Sequence, residues 1–108
     1  MAVYNNLPAG AGGGEFVELA HMTAVDTTYT LSHDVSDYKY IVAVSYYGNF
    51  TLNSVTMPIA LWQANKYLIV NFNDTTLRKA QMQIIDNTHV KSTSTWNNIT
   101  GVYLYGVK

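Results

Sequence analysis

The residues best equipped for chemistry in this chain are three histidines, a Ser32-His33-Asp34 run and a few carboxylates. His21, His33 and His89 lie far apart, and none forms the His-x-His or His-x-x-x-His pair that sets two imidazoles on one metal. No metal is expected: His21 reads as a strand residue, His33 and His89 as loop or edge residues. Ser32-His33-Asp34 names the members of a hydrolase triad, yet sequence neighbours point in different directions and triad members meet through the fold. It reads as a turn. Glycoside hydrolysis needs two carboxylates facing across a cleft, and Glu15 with Glu18, or Asp34 with Asp37, are more simply linker and loop solvation. Asp34 and Asp37 also fall short of the roughly six to eight oxygens that calcium takes. No cofactor and no catalytic activity are expected.

Aromatic side chains are the remaining resource: nine Tyr, two Trp and three Phe make 13% of the chain. Tyr and Trp offer large contact area at low entropic cost, and neighbouring amides supply hydrogen bonds to sugars. Two clusters qualify, Tyr46-Tyr47-Gly48-Asn49 and Trp96-Asn97-Asn98. The ligand-binding candidates are Tyr47, Asn49, Trp96 and Asn97. Against this, core or subunit contact is the simpler reading of Tyr46 and Trp96. Asn49-Phe50-Thr51, Asn73-Asp74-Thr75 and Asn98-Ile99-Thr100 fit the glycosylation acceptor pattern, which a Thr- and Asn-rich chain produces by chance.

Those residues must be positioned by a small fold. One domain accounts for 108 residues, and with no cysteine there is no disulfide framework or thiolate metal site. Six Lys and Arg against seven Asp and Glu leave a net charge of -1, so neither nucleic acid nor an anionic membrane surface is a favoured partner. The apolar runs Ile41-Val42-Ala43-Val44 and Leu68-Ile69-Val70 are far shorter than the roughly 18 residues of a membrane-spanning helix, and no membrane insertion is expected. Charged residues make only 12% of the chain, about half the usual share, while Thr, Tyr, Val and Ile suit a pleated surface.

Residues 1–14 hold a Gly-rich stretch that reads as a linker or stem remnant, and residues 15–108 as one binding domain. Strands are expected over 16–22, 27–31, 38–47, 50–56, 66–72, 76–85 and 99–107, with turns at Asp26-Thr27, Gly48-Asn49, Asn73-Asp74 and Asp86-Asn87. The clearest is 38–47, read as a central strand with Tyr40, Val42, Val44 and Tyr46 on one face. With Leu68, Val70, Phe72, Met82, Ile84 and Leu104, the first three of these form the expected core. Pro58 makes 59–62 an edge strand or crossing loop, and the polar 88–98 segment a loop or weakly paired edge strand. Gly101 and Gly106 suggest a bulge or close backbone approach. Seven or eight short strands at this spacing predict an all-β, antiparallel, jelly-roll-like β-sandwich.

Two stretches carry a resemblance. Residues 29–41, Tyr-Thr-Leu-Ser-His-Asp-Val-Ser-Asp-Tyr-Lys-Tyr-Ile, resemble the opening of C-terminal domains in tail-fibre and baseplate proteins of tailed bacteriophages. Residues 99–108, Ile-Thr-Gly-Val-Tyr-Leu-Tyr-Gly-Val-Lys, are similar to the Ile-Tyr-Gly-Ile-Lys ending of many such proteins. The resemblance implies a homotrimeric head on a virion appendage, joined through an N-terminal stem and binding a host-surface polysaccharide or protein, or capping the fibre. It further implies subunit contacts, for which Ile41, Tyr103 and Tyr105 are the candidates. The His-x-His metal pair of one fibre-tip pattern is missing. The alternative is a carbohydrate-binding module or adhesin domain of a bacterial surface protein.

Overall fold

The computed structural model describes residues 16–64, 66–71, 79–93 and 96–108. The expected linker, the core position Phe72 and the Asn73-Asp74 turn lie outside the described residues. The elements are β1 (Phe16–Met22), β2 (Thr28–Thr30), β3 (Tyr40–Tyr47), β4 (Phe50–Pro58), α1 (Ile59–Ala64), β5 (Tyr67–Asn71), β6 (Lys79–Asp86), β7 (His89–Ser92) and β8 (Gly101–Val107), with a 3-10 turn at Val35–Asp37.

The strands form two four-stranded antiparallel sheets, ordered β1-β8-β3-β4 and β2-β7-β6-β5. The nested pairs β1 with β8 and β2 with β7 follow jelly-roll winding, while β3–β4 and β5–β6 are adjacent strands paired directly. One core joins the sheets: Met22, Ile41, Ala43, Val102 and Leu104 from the first meet Leu68, Val70, Ala80, Met82, Ile84 and Val90 from the second. The all-β sandwich is therefore the architecture of the chain.

Three local expectations need correction. On β3 it is Ile41, Ala43 and Ser45 that face the other sheet; Val42 and Val44 are buried in a separate cluster on the outer face, and Tyr40 is 42% exposed. Volume decides this. Ala43, Ser45 and Gly106 are small, the Tyr38 ring lies against Gly106, and the same core holds Met22, Met82 and the wholly buried Trp62. Ile41 is 1% exposed within that core, so it is no subunit contact. The second correction is α1: residues 59–64 are helical, and the helix plugs Trp62 between the sheets. Third, β7 is a central strand between β2 and β6, because Val90 and Ser92 point inward despite the polar sequence around them. Ser92 is buried with its hydroxyl bonded to the Ala24 carbonyl, which is how a polar inner position is tolerated.

The two glycines of β8 are sites of close approach, as their spacing suggested. A Cβ on Gly106 would stand 2.7 Å from the Tyr38 ring, and one on Gly101 2.7 Å from the Tyr46 hydroxyl. At Gly48, by contrast, φ is +56° with nothing within 4 Å of a Cβ, so only backbone strain opposes substitution there.

In urea unfolding, Ile41→Ala is expected to cost about 2–5 kcal/mol through lost transfer free energy and a cavity. A change under about 0.5 kcal/mol would contradict its core position. Gly106→Ala is expected to cost about 1–3 kcal/mol by driving a methyl into Tyr38, and Gly48→Ala about 1–2 kcal/mol from its positive φ alone.

Candidate functional site

The outer face of the first sheet carries cross-strand rows set by register. Phe16 lies beside Val107, then Tyr40; Glu18 beside Tyr105, then Val42; His21 beside Tyr103, then Val44; and Gly101 beside Tyr46. Among the described residues no second sheet covers this face. Val42, Val44 and Tyr105 are nevertheless buried, packed with Phe16, Tyr103 and Val107 in a cluster of their own. Large rings supply the cover: Phe16 meets Tyr105 edge-on at 6.5 Å, and Tyr105 stacks on Tyr103 at 5.9 Å.

At one end the cover becomes a shelf. His21 stacks on Tyr103 at 4.0 Å and 8°, Tyr46 stacks on Tyr103 at 5.5 Å, and His21 Nε2 lies 2.6 Å from the Tyr46 hydroxyl. Gly101 makes this possible, since any side chain there would displace the Tyr46 ring. Beyond the shelf, Gly48-Asn49 closes the β3–β4 hairpin in two residues, with the positive φ at the first position that a type II′ turn requires. Thr100 anchors it: its amide donates to the Tyr46 carbonyl at 2.9 Å, and its hydroxyl accepts from the Gly48 amide at 2.9 Å. Shelf and hairpin enclose a cleft of about 230 Å³, lined by Tyr46, Gly48, Asn49, Phe50, Thr51 and Tyr103. Phe50 is 71% exposed.

Of the four ligand-binding candidates, Asn49 lines this cleft and Tyr47 is exposed on the adjoining strand end. Trp96 and Asn97 do not join them. The Trp96 indole donates to the Gln81 carbonyl at 2.8 Å and packs on the core, while the Asn97 backbone pairs with Lys79 in both directions. Trp96 is thus a structural side chain, in line with the simpler reading of it. Sequence reasoning did not single out Phe50 and Thr51 for binding, although both follow a Gly-Asn turn and such a turn displays its flanking residues. Tyr46 and Tyr103 come together only through the β3–β8 register, which no local pattern encodes. Tyr103 and Tyr105 both sit on the outer face, Tyr105 only 5% exposed.

The remaining chemical candidates are bound into turns. Asp34 accepts from the Ser36 hydroxyl at 2.6 Å and the Ser36 amide at 2.8 Å, bonds that hold its carboxyl below the usual range and cap the 3-10 turn. Ser32 donates to the Glu18 carbonyl at 2.7 Å. Among the described residues no three His, Asp or Glu side chains stand close enough to hold a metal ion. No helix of the described residues is long and apolar enough to cross a membrane. No protein-family model and no curated protein matches the chain.

Burial, with the Glu18 charge and Tyr103 beside it, pushes the Tyr105 hydroxyl up to about 12; burial also raises Tyr46. Native packing favours the neutral phenol. The stability this gives is full below about pH 10, where an unfolded tyrosine ionises, and is lost as pH rises through about 12. In an ultraviolet titration the last tyrosine is expected to ionise near pH 12, and Tyr105→Phe should remove that phase. A normal titration of every tyrosine would contradict the packing of this face.

Proposed function

We propose that this domain is a binding module of a tailed-bacteriophage fibre or baseplate protein, holding a host-surface glycan on the aromatic shelf beside the β3–β4 turn. One observation carries the glycan: the cleft brings the rings of Tyr46, Tyr103 and Phe50 together with the Asn49 amide and the Thr51 hydroxyl. A sugar ring has apolar C–H faces and a hydroxyl rim, and flat aromatics with a few amides and hydroxyls match both. Phe50 adds weight, since a largely exposed phenylalanine contributes little to packing and gives a ligand much apolar area. The virion setting rests on the resemblance of residues 29–41 and 99–108.

Assembly belongs to the same reading. Three copies around an axis would cover the part of the outer face away from the cleft, where Phe16, Tyr40, Tyr105 and Val107 lie on the rows about the Glu18 carboxylate. A closed ring requires two different surfaces on each subunit, so this face would meet another part of its neighbour. The carbohydrate-binding module is the reading that remains if the chain is a monomer.

On an array of bacterial surface polysaccharides, the domain is expected to bind a restricted set. Phe50→Ala should weaken that binding at least about tenfold, as loss of a stacking ring does, with the far-ultraviolet spectrum unchanged. Binding to none, or equal binding by Phe50→Ala, would reject the shelf. In sedimentation equilibrium at about 100 μM a trimer is expected, and Tyr40→Glu should shift it to monomer because a charge desolvated without a partner is strongly unfavourable. A monomeric parent chain would reject the trimer and leave the glycan test standing.

A further inference from the structure

A second concavity, of about 400 Å³, lies where the end of α1 meets the β6–β7 turn. Its walls include Gln63, Lys66, Gln83, Ile85, Asp86 and Asn87, none of them shared with the aromatic shelf. We propose that this cleft is a separate carbohydrate site, selective for sugars that bear a carboxylate.

A register shift lies on the wall of the cleft. Along the β6–β7 pairing, Ile84 opposes Val90 but Asp86 opposes His89, so Ile85 is the extra residue of a bulge. Next to the inward Ile84, Ile85 lies on the opposite face of β6 and is 48% exposed on the cleft wall. It offers an apolar surface to the C–H face of a ring. The β5 end is fixed as well, since the Ile84 amide donates to the Lys66 carbonyl at 2.7 Å.

Polar groups converge on that wall. The Gln63 amide donates to Asn87 Oδ1 at 3.3 Å, which orients both side chains. Asp86 Oδ1 accepts from the Thr88 amide at 2.8 Å and the Thr88 hydroxyl at 3.1 Å, and lies 2.9 Å from His89 Nδ1. These bonds hold its carboxyl below the usual range, the Thr88 amide most strongly, so it is ionised at neutral pH. Oδ2, the Gln83 amide and the Lys66 ammonium have no hydrogen-bond or ion-pair partner among the described residues. Amides and a carboxylate oxygen are donors and acceptors for sugar hydroxyls.

Charge then selects among sugars. The Asp86 carboxylate is partly compensated by the Thr88 amide and by His89 beside it, whereas Lys66 is a cation on the wall with no carboxylate paired to it among the described residues. A carboxylate on the ligand would complete a charge-assisted hydrogen bond there, and charge-assisted bonds are roughly twice as strong as neutral ones.

Nuclear magnetic resonance titration of the whole chain with cellobiouronic acid, cellobiose and acetate tests the site. Cellobiouronic acid is expected to shift the side-chain amides of Gln63, Gln83 and Asn87 and the methyls of Ile85, with at least about tenfold higher affinity than cellobiose. Lys66→Met should erase that preference, Gln83→Ala should weaken both sugars, and Phe50→Ala should change neither. Absence of shifts at these groups up to about 50 mM, equal affinity for the two sugars, retention of the preference in Lys66→Met, or acetate reproducing the full pattern would each overturn the proposal. Because Phe50 lies outside this cleft, its variant separates failure here from failure at the shelf.

Discussion

A two-layer sandwich buries one face of each sheet, yet β3 and β8 carry large apolar side chains on both. The inner faces have the facing sheet to meet. The outer residues Val42, Val44 and Tyr105 do not, and the chain covers them with rings from β1 and β8 laid across the sheet. Cover of this kind needs long, flat side chains at successive cross-strand positions, which is why the aromatics of the chain gather there. Where the rows end, at His21, Tyr103 and Tyr46, the same stacked rings border a cleft. The candidate binding surface is thus continuous with the device that keeps the outer face dry.

The inner face imposes a complementary demand. The Tyr38 ring leaves no room for a side chain at Gly106, and Trp62 from the helix shares one close-packed core with Ala43, Met22 and Met82 from the sheets. The helix is the crossing between the sheets, following β4 directly and delivering Trp62 into the core. Its last residues then stand beside the β6–β7 turn, and the second cleft forms from polar side chains that have no place inside. Both concavities are formed at the ends of pairings, one beside a tight hairpin and one beside a bulge.

Much of the fold was legible because alternation and turn chemistry are local. Gly48-Asn49, the strands of 16–22 and 38–47, and the close approaches at Gly101 and Gly106 need only a few neighbouring residues to be read. The side of β3 that faces inward was not legible. Ile41 and Ala43 alternate with Val42 and Val44, so the two-residue period separates two apolar faces without saying which one the other sheet covers. Residues 59–64 were misread because Pro58 ends a strand whatever follows it, and β7 because a strand packed through Val90 and Ser92 alone has almost no apolar signature. At the candidate site, Asn49 and Tyr47 follow from the turn, whereas the pairing of Tyr46 with Tyr103 depends on strands nearly sixty residues apart, from 46 to 103.

The nesting of β1 with β8 also governs how the chain reaches its fold. Residues 16–22 find their partner only in residues 101–107, and β3 gains its second neighbour from that same strand. Pairings so distant in sequence slow folding, because loop closure must precede the contacts that repay it. During synthesis the β3 edge of the β3–β4 hairpin therefore stays open until residue 107 has left the ribosome. In that interval Val42 and Val44 are bare, and the open edge is a template for strands of neighbouring nascent chains. The strand that completes the sheet is also the one that closes this edge of β3 to mispairing.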